Sequence, residues 1–510
     1  MSMCRVTGQA GFGQCRSALL VLRRHKATAA AIQSKDGGEV VKPFSALPGP
    51  RGLPFIGTLF HTMRNSSRLH ESIQERHETY GPIFREKLGI LDAVFLMDVD
   101  AVESLLRQDG KYPSRMQVDV WHEYRNIAGI RKGLLLNEGE TWHALRRIVD
   151  RHMLKTRTVE SYTGDFNTVV AEFLDRMDRI LPDDKEMPSP DEELFNWSLE
   201  SISRILYEKK LGCLLDGKSK DAQDFINSAH EIFATSRTLA FLPPHVSKVI
   251  MPKLYKQHMA AWETSFRVAK GVIDETIERI KNKVESDEGD VGFITHFLKE
   301  NMDKQDLYVN VWELMAAAVD TTSYTTLAML NEISRCPRVQ DALYEEITRV
   351  VPAGEQPTAD HLKEMHYIKA VIKETLRMYP TVGGITRIAQ NDLVLMNYSI
   401  PKGTKIWVDP YTMGRLRRHY DDPDTFLPER WLRATRTTKP HPFAWLPFGF
   451  GVRACVGRRV AELEMQLLVS QFVRKYKLEA ISTEPFRIKY DLILLPKDPV
   501  RIRLIDRESA

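Results

Sequence analysis

The stretch FGFGVRACVGRR, residues 448–459, holds one of only five cysteines in a 510-residue chain. Gly449, Gly451 and Gly457 let its backbone turn tightly and come close to something flat or large. Arg453 and the amides of the turn are expected to lower the Cys455 thiol pKa and to hold a thiolate. A strong helical period, RRVAELEMQLLVSQFVRKY, starts after Gly457, so Cys455 stands just before a helix N-terminus, where the dipole also favours an anion. Such a thiolate ligates a metal or attacks a substrate. Zinc would want companion His or Cys ligands at short spacing, and none are near. A lone thiolate suits an axial ligand to a haem iron.

Other residues are ambiguous by type alone. Asp320, Thr321 and Thr322 interrupt the long apolar helix of ELMAAAVDTTSYTTLAML (313–330), where such residues are normally unwelcome. A bond from a Thr hydroxyl to the carbonyl four residues earlier would account for the threonines. Glu374 and Arg377 would in isolation be an ordinary i,i+3 surface pair. Trp142 and Arg146 read first as packing and surface charge. Lys369 and Lys373 stand at i and i+4 and so share a helix face, which by itself is a solvated basic face.

Phe448, Gly451, Arg453, Cys455 and Gly457 match the pattern F-x-x-G-x-R-x-C-x-G at every fixed position, and on them the chain resembles the cytochrome P450 family. Further landmarks follow in the family's order. Ala317 through Thr322 match its oxygen-activation motif, which implies that Asp320 and Thr321 relay protons to bound dioxygen while the thiolate pushes electron density from the opposite face. Ala318 stands where glycine is commoner, which would tighten an oxygen groove by one methyl. Glu374 and Arg377 become the family's E-x-x-R pair, completed by Arg430 of PERW into a buried structural network. Trp142, Arg146, Arg387 and Arg453 match haem-edge and propionate partners.

The same resemblance implies a class of partners. Lys369 and Lys373 match the two lysines with which the mitochondrial class binds its acidic iron–sulfur ferredoxin, itself reduced by an NADPH-dependent flavoprotein. Arg458 and Arg459 would extend that patch, which steers an acidic partner and weakens with salt. No flavin or nicotinamide fingerprint occurs in the chain, so an external reductant is required. NWSLESISRILYEKKLGC and AAWETSF look most like the vitamin D 24-hydroxylase members, and the cysteine loop like the sterol 27-hydroxylase group. The expected function is therefore a monooxygenase with haem b as cofactor, using O2 on a lipophilic, sterol- or secosteroid-like substrate. The alternatives are a monooxygenase of xenobiotics and a haem-thiolate protein that binds a sterol without turnover; a mere binder needs no proton relay.

These residues need elements to hold them. Apolar residues at i, i+3 and i+4 predict helices at RLHESIQERHETYG, AVESLLRQDG, TWHALRRIVDRHML, DFNTVVAEFLDRMDRIL and ELFNWSLESISRILYEKKLG. Strand signals cluster at residues 83–97, 392–409 and near the C-terminus. The expected fold is mainly α with small β-sheets, a cytochrome P450 fold in a single haem-enclosing domain over residues 45–510, entered through a Pro/Gly-rich segment at 36–52. At 239–254, LAFLPPHVSKVIMPKL is apolar, basic-edged and rich in proline, which predicts an irregular loop that dips into a membrane surface or lies buried under a lid.

Composition sets the remaining bounds. With 43% apolar and 27% charged residues the chain has the profile of a globular protein, and a net charge of +4 without a dominant Lys/Arg tract gives no footprint for nucleic acid. Cys4, Cys15, Cys213, Cys336 and Cys455 are widely spaced, without a CxxC pair, which argues against a disulfide framework. Residues 1–35 carry arginines and lysines but no acid and read as a mitochondrial transit peptide. The apolar run Ala18–Leu22 is far below the ~20 residues that span a bilayer. The expected location is the matrix side of the inner mitochondrial membrane, with peripheral membrane association.

Overall fold

The computed structural model describes residues 40–507 apart from 218, 284–291, 301, 436–438 and 483. The transit-peptide expectation at 1–35, with Cys4 and Cys15, lies outside the described residues.

Helices dominate. Those of nine or more residues are α1 (Leu69–Tyr80), α2 (Val99–Arg107), α3 (Asp119–Ala128), α4 (Gly139–Met153), α5 (Thr163–Ile180), α6 (Pro190–Leu206), α7 (Lys220–Leu239), α8 (Pro252–Lys283), α9 (Lys304–Arg335), α10 (Pro337–Val350), α11 (His366–Met378) and α12 (Arg458–Lys475). Each helix read from the apolar period is present. The last of them, α6, stops at Leu206 rather than running to Gly212, and Leu211 and Cys213 beyond it donate their amides to Glu200. The central helix is α9, buried from Leu307 to Ser334 on nearly every side. Its start is fixed by Asp303, whose side chain accepts from the Gln305 amide. Helix α6 packs along it, with the Ser323 hydroxyl donating to the Leu194 carbonyl. Helices α7 and α8 form an antiparallel pair across the same end.

The strands are β1 (Ile83–Leu88), β2 (Leu91–Leu96), β3 (Ile385–Ile388), β4 (Leu393–Leu395), β5 (Tyr398–Ile400), β6 (Lys405–Val408), β7 (Tyr476–Ala480), β8 (Ile488–Asp491), β9 (Ile493–Pro496) and β10 (Ile502–Asp506). One sheet has the order β1-β2-β6-β3, with β2 and β6 parallel and Val94 opposite Ile406. The other three are two-stranded hairpins or pairs. Strand β3 escaped the sequence reading because ITRI is short, although it carries Arg387.

Two expectations need correction. Residues 239–254 are not an irregular loop: Pro244–Ile250 is a short helix and Pro252 opens α8. Both prolines stand in the first helical turn, where a missing N–H costs nothing and the fixed φ is already helical. The entry segment is also more than a lead-in. Lys42 bonds to both Asn397 and Ser399 beside β5, and the Arg85 amide donates to the Pro48 carbonyl, so the folded body already includes these residues.

Candidate active site

A cavity of about 360 Å³ lies between α9 and the cysteine loop. Cys455 lines its floor. The loop closes on itself through the Cys455 amide, which donates to the Phe448 carbonyl at 2.8 Å, and the Ala454 amide, which donates to Gly451 at 3.0 Å. Gly449 and Gly451 have φ of 69° and 72°, left-handed values that other residues adopt only with strain. Gly457 has an ordinary φ of −82° and is the N-cap of α12, so the helix starts at Arg458, three residues past the cysteine.

The thiol itself departs from expectation. Burial pushes its pKa up, and the opposing pull of the Gly457 and Arg458 amides and of the Arg146 and Arg458 charges does not cancel that. Arg453 contributes little, because its guanidinium points elsewhere: Nε donates to Pro113 at 2.8 Å and the two terminal nitrogens to Asn137 at 3.3 Å. Its Cζ also lies over the Trp142 ring, 3.6 Å from the centroid. A cation on the sulfur would favour the thiolate.

One edge of the cavity is cationic. Arg115, Arg146, Arg387 and Arg453 all line it. Burial, and then the charges of Arg387 and Arg146, bring Arg115 down to about 10. Burial, and then the charge of Arg115, bring Arg453 down to about 9. Guanidiniums that repel one another in a buried site ask for an anion. Two of them have acidic partners: Arg387 pairs with Asp109 at 2.7 Å, and Arg146 with Asp150 at 2.6 Å. Arg115, absent from the sequence reading, donates to the Leu135 carbonyl. No motif marks it, and only the fold brings it to this edge.

Above the floor, α9 presents Leu314, Ala317, Thr321 and Thr325 at helical spacing on one face. The Thr321 hydroxyl donates to the Ala317 carbonyl at 2.9 Å, the local back-bond that sequence alone allowed. Ala318 is not among the lining residues, so its methyl does not narrow the cavity. Neither is Asp320, which faces away, toward α6 and α7. Thr325 bonds to Thr381 at 2.9 Å, and Val382, Gly384 and Ile385 complete that wall.

Behind the cysteine loop, Glu374, Arg377 and Arg430 meet. Glu374 Oε1 accepts from Arg377 at 2.8 Å, Arg430 at 2.9 Å and the Leu427 amide at 2.9 Å. Its Oε2 accepts from Arg377 and from Trp431 Nε1, both at 2.9 Å. Arg377 spends its remaining donors on the Gly414, Pro423 and Thr425 carbonyls.

On the surface beneath the floor, Lys369 and Lys373 lie half-buried one turn apart on α11, and burial lowers both pKa values. Lys373 feels the charges of Glu462 and Arg458, which pair with each other at 3.0 Å on α12. Arg459, one residue on, is turned to the Leu154 carbonyl and Thr156.

The site's chemistry fits haem. A flat apolar macrocycle with two carboxylates needs a soft axial donor, apolar walls and a cationic edge. Cys455, the Leu134, Leu446, Phe448 and Met465 side chains, and the four arginines answer to these in turn.

Comparison with known proteins agrees. Residues 47–504 match the model of the family described as Cytochrome P450. The chain is 33% identical over 455 residues to rat "1,25-dihydroxyvitamin D(3) 24-hydroxylase, mitochondrial", covering 89% of this chain and 87% of that one. It is 33% identical to mouse "Sterol 26-hydroxylase, mitochondrial", over 98% and 96% of the two chains. It is 31% identical to zebrafish "Cytochrome P450 27C1", over 92% and 88%.

Proposed function

The chain belongs to the cytochrome P450 family, and from that premise we propose that this haem-thiolate monooxygenase hydroxylates a sterol- or secosteroid-like lipid in the mitochondrion. The observation that carries the chemistry is one cavity with a lone cysteine in its floor, an arginine-lined edge and the Thr321 hydroxyl in its opposite wall. When bound, haem iron supplies the reductive activation of O2. Overall, a C–H bond becomes C–OH and the second oxygen leaves as water, with two electrons and two protons consumed.

The protein's residues hold and prepare that reaction. Cys455 would ligate the haem iron, and the cavity's single cysteine suits haem b, which has no thioether links to protein. Arg115, Arg146, Arg387 and Arg453 would bind its carboxylates, with the Trp142 ring packed against the Arg453 guanidinium. Thr321 donates a proton into the cavity when its bond to Ala317 breaks, and Asp320 replenishes it. Leucines and Ile385 exclude water and orient an apolar substrate, while the Thr325–Thr381 pair offers a polar contact.

Electrons enter from a ferredoxin and its NADPH-dependent reductase, docked at Lys369, Lys373 and Arg458 under the cysteine loop. Arg459, tied to Leu154, makes a weaker contribution. Exposed apolar residues on two segments support membrane association: Phe55 is 90% exposed and Val249 77%, and the Ile90 amide bonds to the Phe241 carbonyl between these segments. No helix among the described residues is long and apolar enough to cross a bilayer; the proposed contact is peripheral, on the matrix side of the inner membrane. The folded unit, which takes in the entry segment from Lys42 onward, follows a transit peptide at 1–35.

The test is a spin-shift titration with cholesterol, 25-hydroxyvitamin D3 and a panel of xenobiotics, followed by turnover with ferredoxin and reductase. A sterol or secosteroid that shifts the spin state and yields a hydroxylated product is expected. Shifts and products with xenobiotics alone would overturn the substrate class.

A further inference from the structure

Asp320 is 1% exposed, and neither of its carboxylate oxygens accepts a hydrogen bond among the described residues. A buried carboxylate left so bare is costly unless a charge faces it. That charge is His230 of α7, whose Nε2 lies 3.5 Å from Asp320 Oδ1. The His230 side chain is 36% exposed although Nε2 is itself buried, so the imidazole runs from the surface to the acid. Phe195 and Tyr324 wall the ring, with centroids 4.4 Å and 6.4 Å from it, and meet each other edge-on at 4.9 Å. The imidazole is thus a polar path through an aromatic plug. The next residue after Asp320, Thr321, faces the cavity, because consecutive helical positions are turned by about 100°.

We propose that His230 is this enzyme's proton-entry residue, taking protons from solvent and passing them to Asp320 for delivery to the cavity. The proposal rests on the monooxygenase reading above, and it concerns the protons that leave as water. Solvent protonates the imidazole, and the Nε2–H proton moves to Asp320 Oδ1. The neutral carboxyl no longer needs the imidazolium, turns about its own side-chain torsions and gives the proton to the Thr321 hydroxyl as that hydroxyl releases its own into the cavity. Asp320 returns as a carboxylate and His230 as neutral imidazole, and no electrons move. His230 does not touch the reacting atoms; it is a positioning and supply residue.

The surroundings set the direction of its pH response. Burial pulls the His230 pKa down, but the facing Asp320 carboxylate and the charge of Asp191 outweigh it, and the value is raised. Asp191 on α6, Asp320 and Tyr324 on α9, and Lys489 on β8 face this cluster, with Lys489 opposing protonation. Asp491 of β8 is in turn paired with Arg237 of α7 and lies 3.4 Å from Lys489. A raised pKa keeps the imidazolium populated near neutrality, and supply fails as pH rises through it.

The experiment uses the haem-loaded full chain with ferredoxin, reductase and whichever of cholesterol or 25-hydroxyvitamin D3 gives the larger spin shift. His230→Gln should keep the reduced-CO spectrum and the spin shift while turnover falls about 10-fold or more, the solvent deuterium isotope effect changes and the alkaline limb of the pH profile disappears. His230→Lys should recover part of the turnover with that limb moved to higher pH, since lysine titrates near 10.4. Turnover, isotope effect and pH profile all unchanged in His230→Gln, with Asp320→Asn impaired, overturns the proposal alone. An unimpaired Asp320→Asn overturns the proposal together with the assigned role of Asp320.

Discussion

Two buried carboxylates, Glu374 and Asp320, lie on neighbouring helices and could hardly be treated more differently. Glu374 is 0% exposed and receives five hydrogen bonds, from Arg377 twice, Arg430, Trp431 and the Leu427 amide. Asp320, at 1%, receives none among the described residues and leans on one histidine. A carboxylate with every lone pair engaged is held in one rotamer, which suits a support for the cysteine loop. One with free lone pairs can accept and release a proton at small cost in geometry, which suits supply. Satisfaction of hydrogen bonds, more than burial, separates the structural acid from the working one.

The strongest way to break this contrast is Glu374→Ala. It would strand the Arg377 and Arg430 charges behind the cysteine loop, at a cost of about 3–5 kcal/mol. Denaturation should show that loss, and haem should be retained poorly; a variant with wild-type stability and haem content would remove the structural role. Thr321→Ala should have a smaller, purely functional effect. Stability and substrate binding should hold while peroxide is released at the expense of product, and full coupling in the variant would refute the hydroxyl's role. The mildest expected change belongs to the surface: Lys369→Glu with Lys373→Glu should slow ferredoxin-supported turnover and flatten its salt dependence, sparing the spin shift. Salt-independent wild-type turnover that ignores the double substitution would remove the docking site.

The sequence made the cysteine loop legible because its constraints are local: two left-handed glycines, a turn and a helix start lie within a dozen residues. The long helices were legible too, since their apolar period is carried by many residues at once. What escaped it depends on distant partners. Arg115 reaches the cationic edge only through the fold of the segment before α3, and His230 meets Asp320 only because α7 crosses α9. The prolines of residues 239–254 argue against a regular helix, yet Pro244 and Pro252 start helices, a distinction that rests on position rather than composition. The helical motif around Asp320 suggested an acid beside an alcohol, but the direction of each side chain comes from packing, and it separates the two.

Everything above depends on the Cys455 thiolate as haem ligand, and the reduced, CO-bound spectrum tests it most directly. The wild-type protein should give the Soret band of thiolate-ligated haem, and Cys455→Ser should lose it while the folded helix content, read by far-UV circular dichroism, stays in place. A Cys455→Ser protein that keeps the wild-type band would contradict the assignment of Cys455 as the ligand.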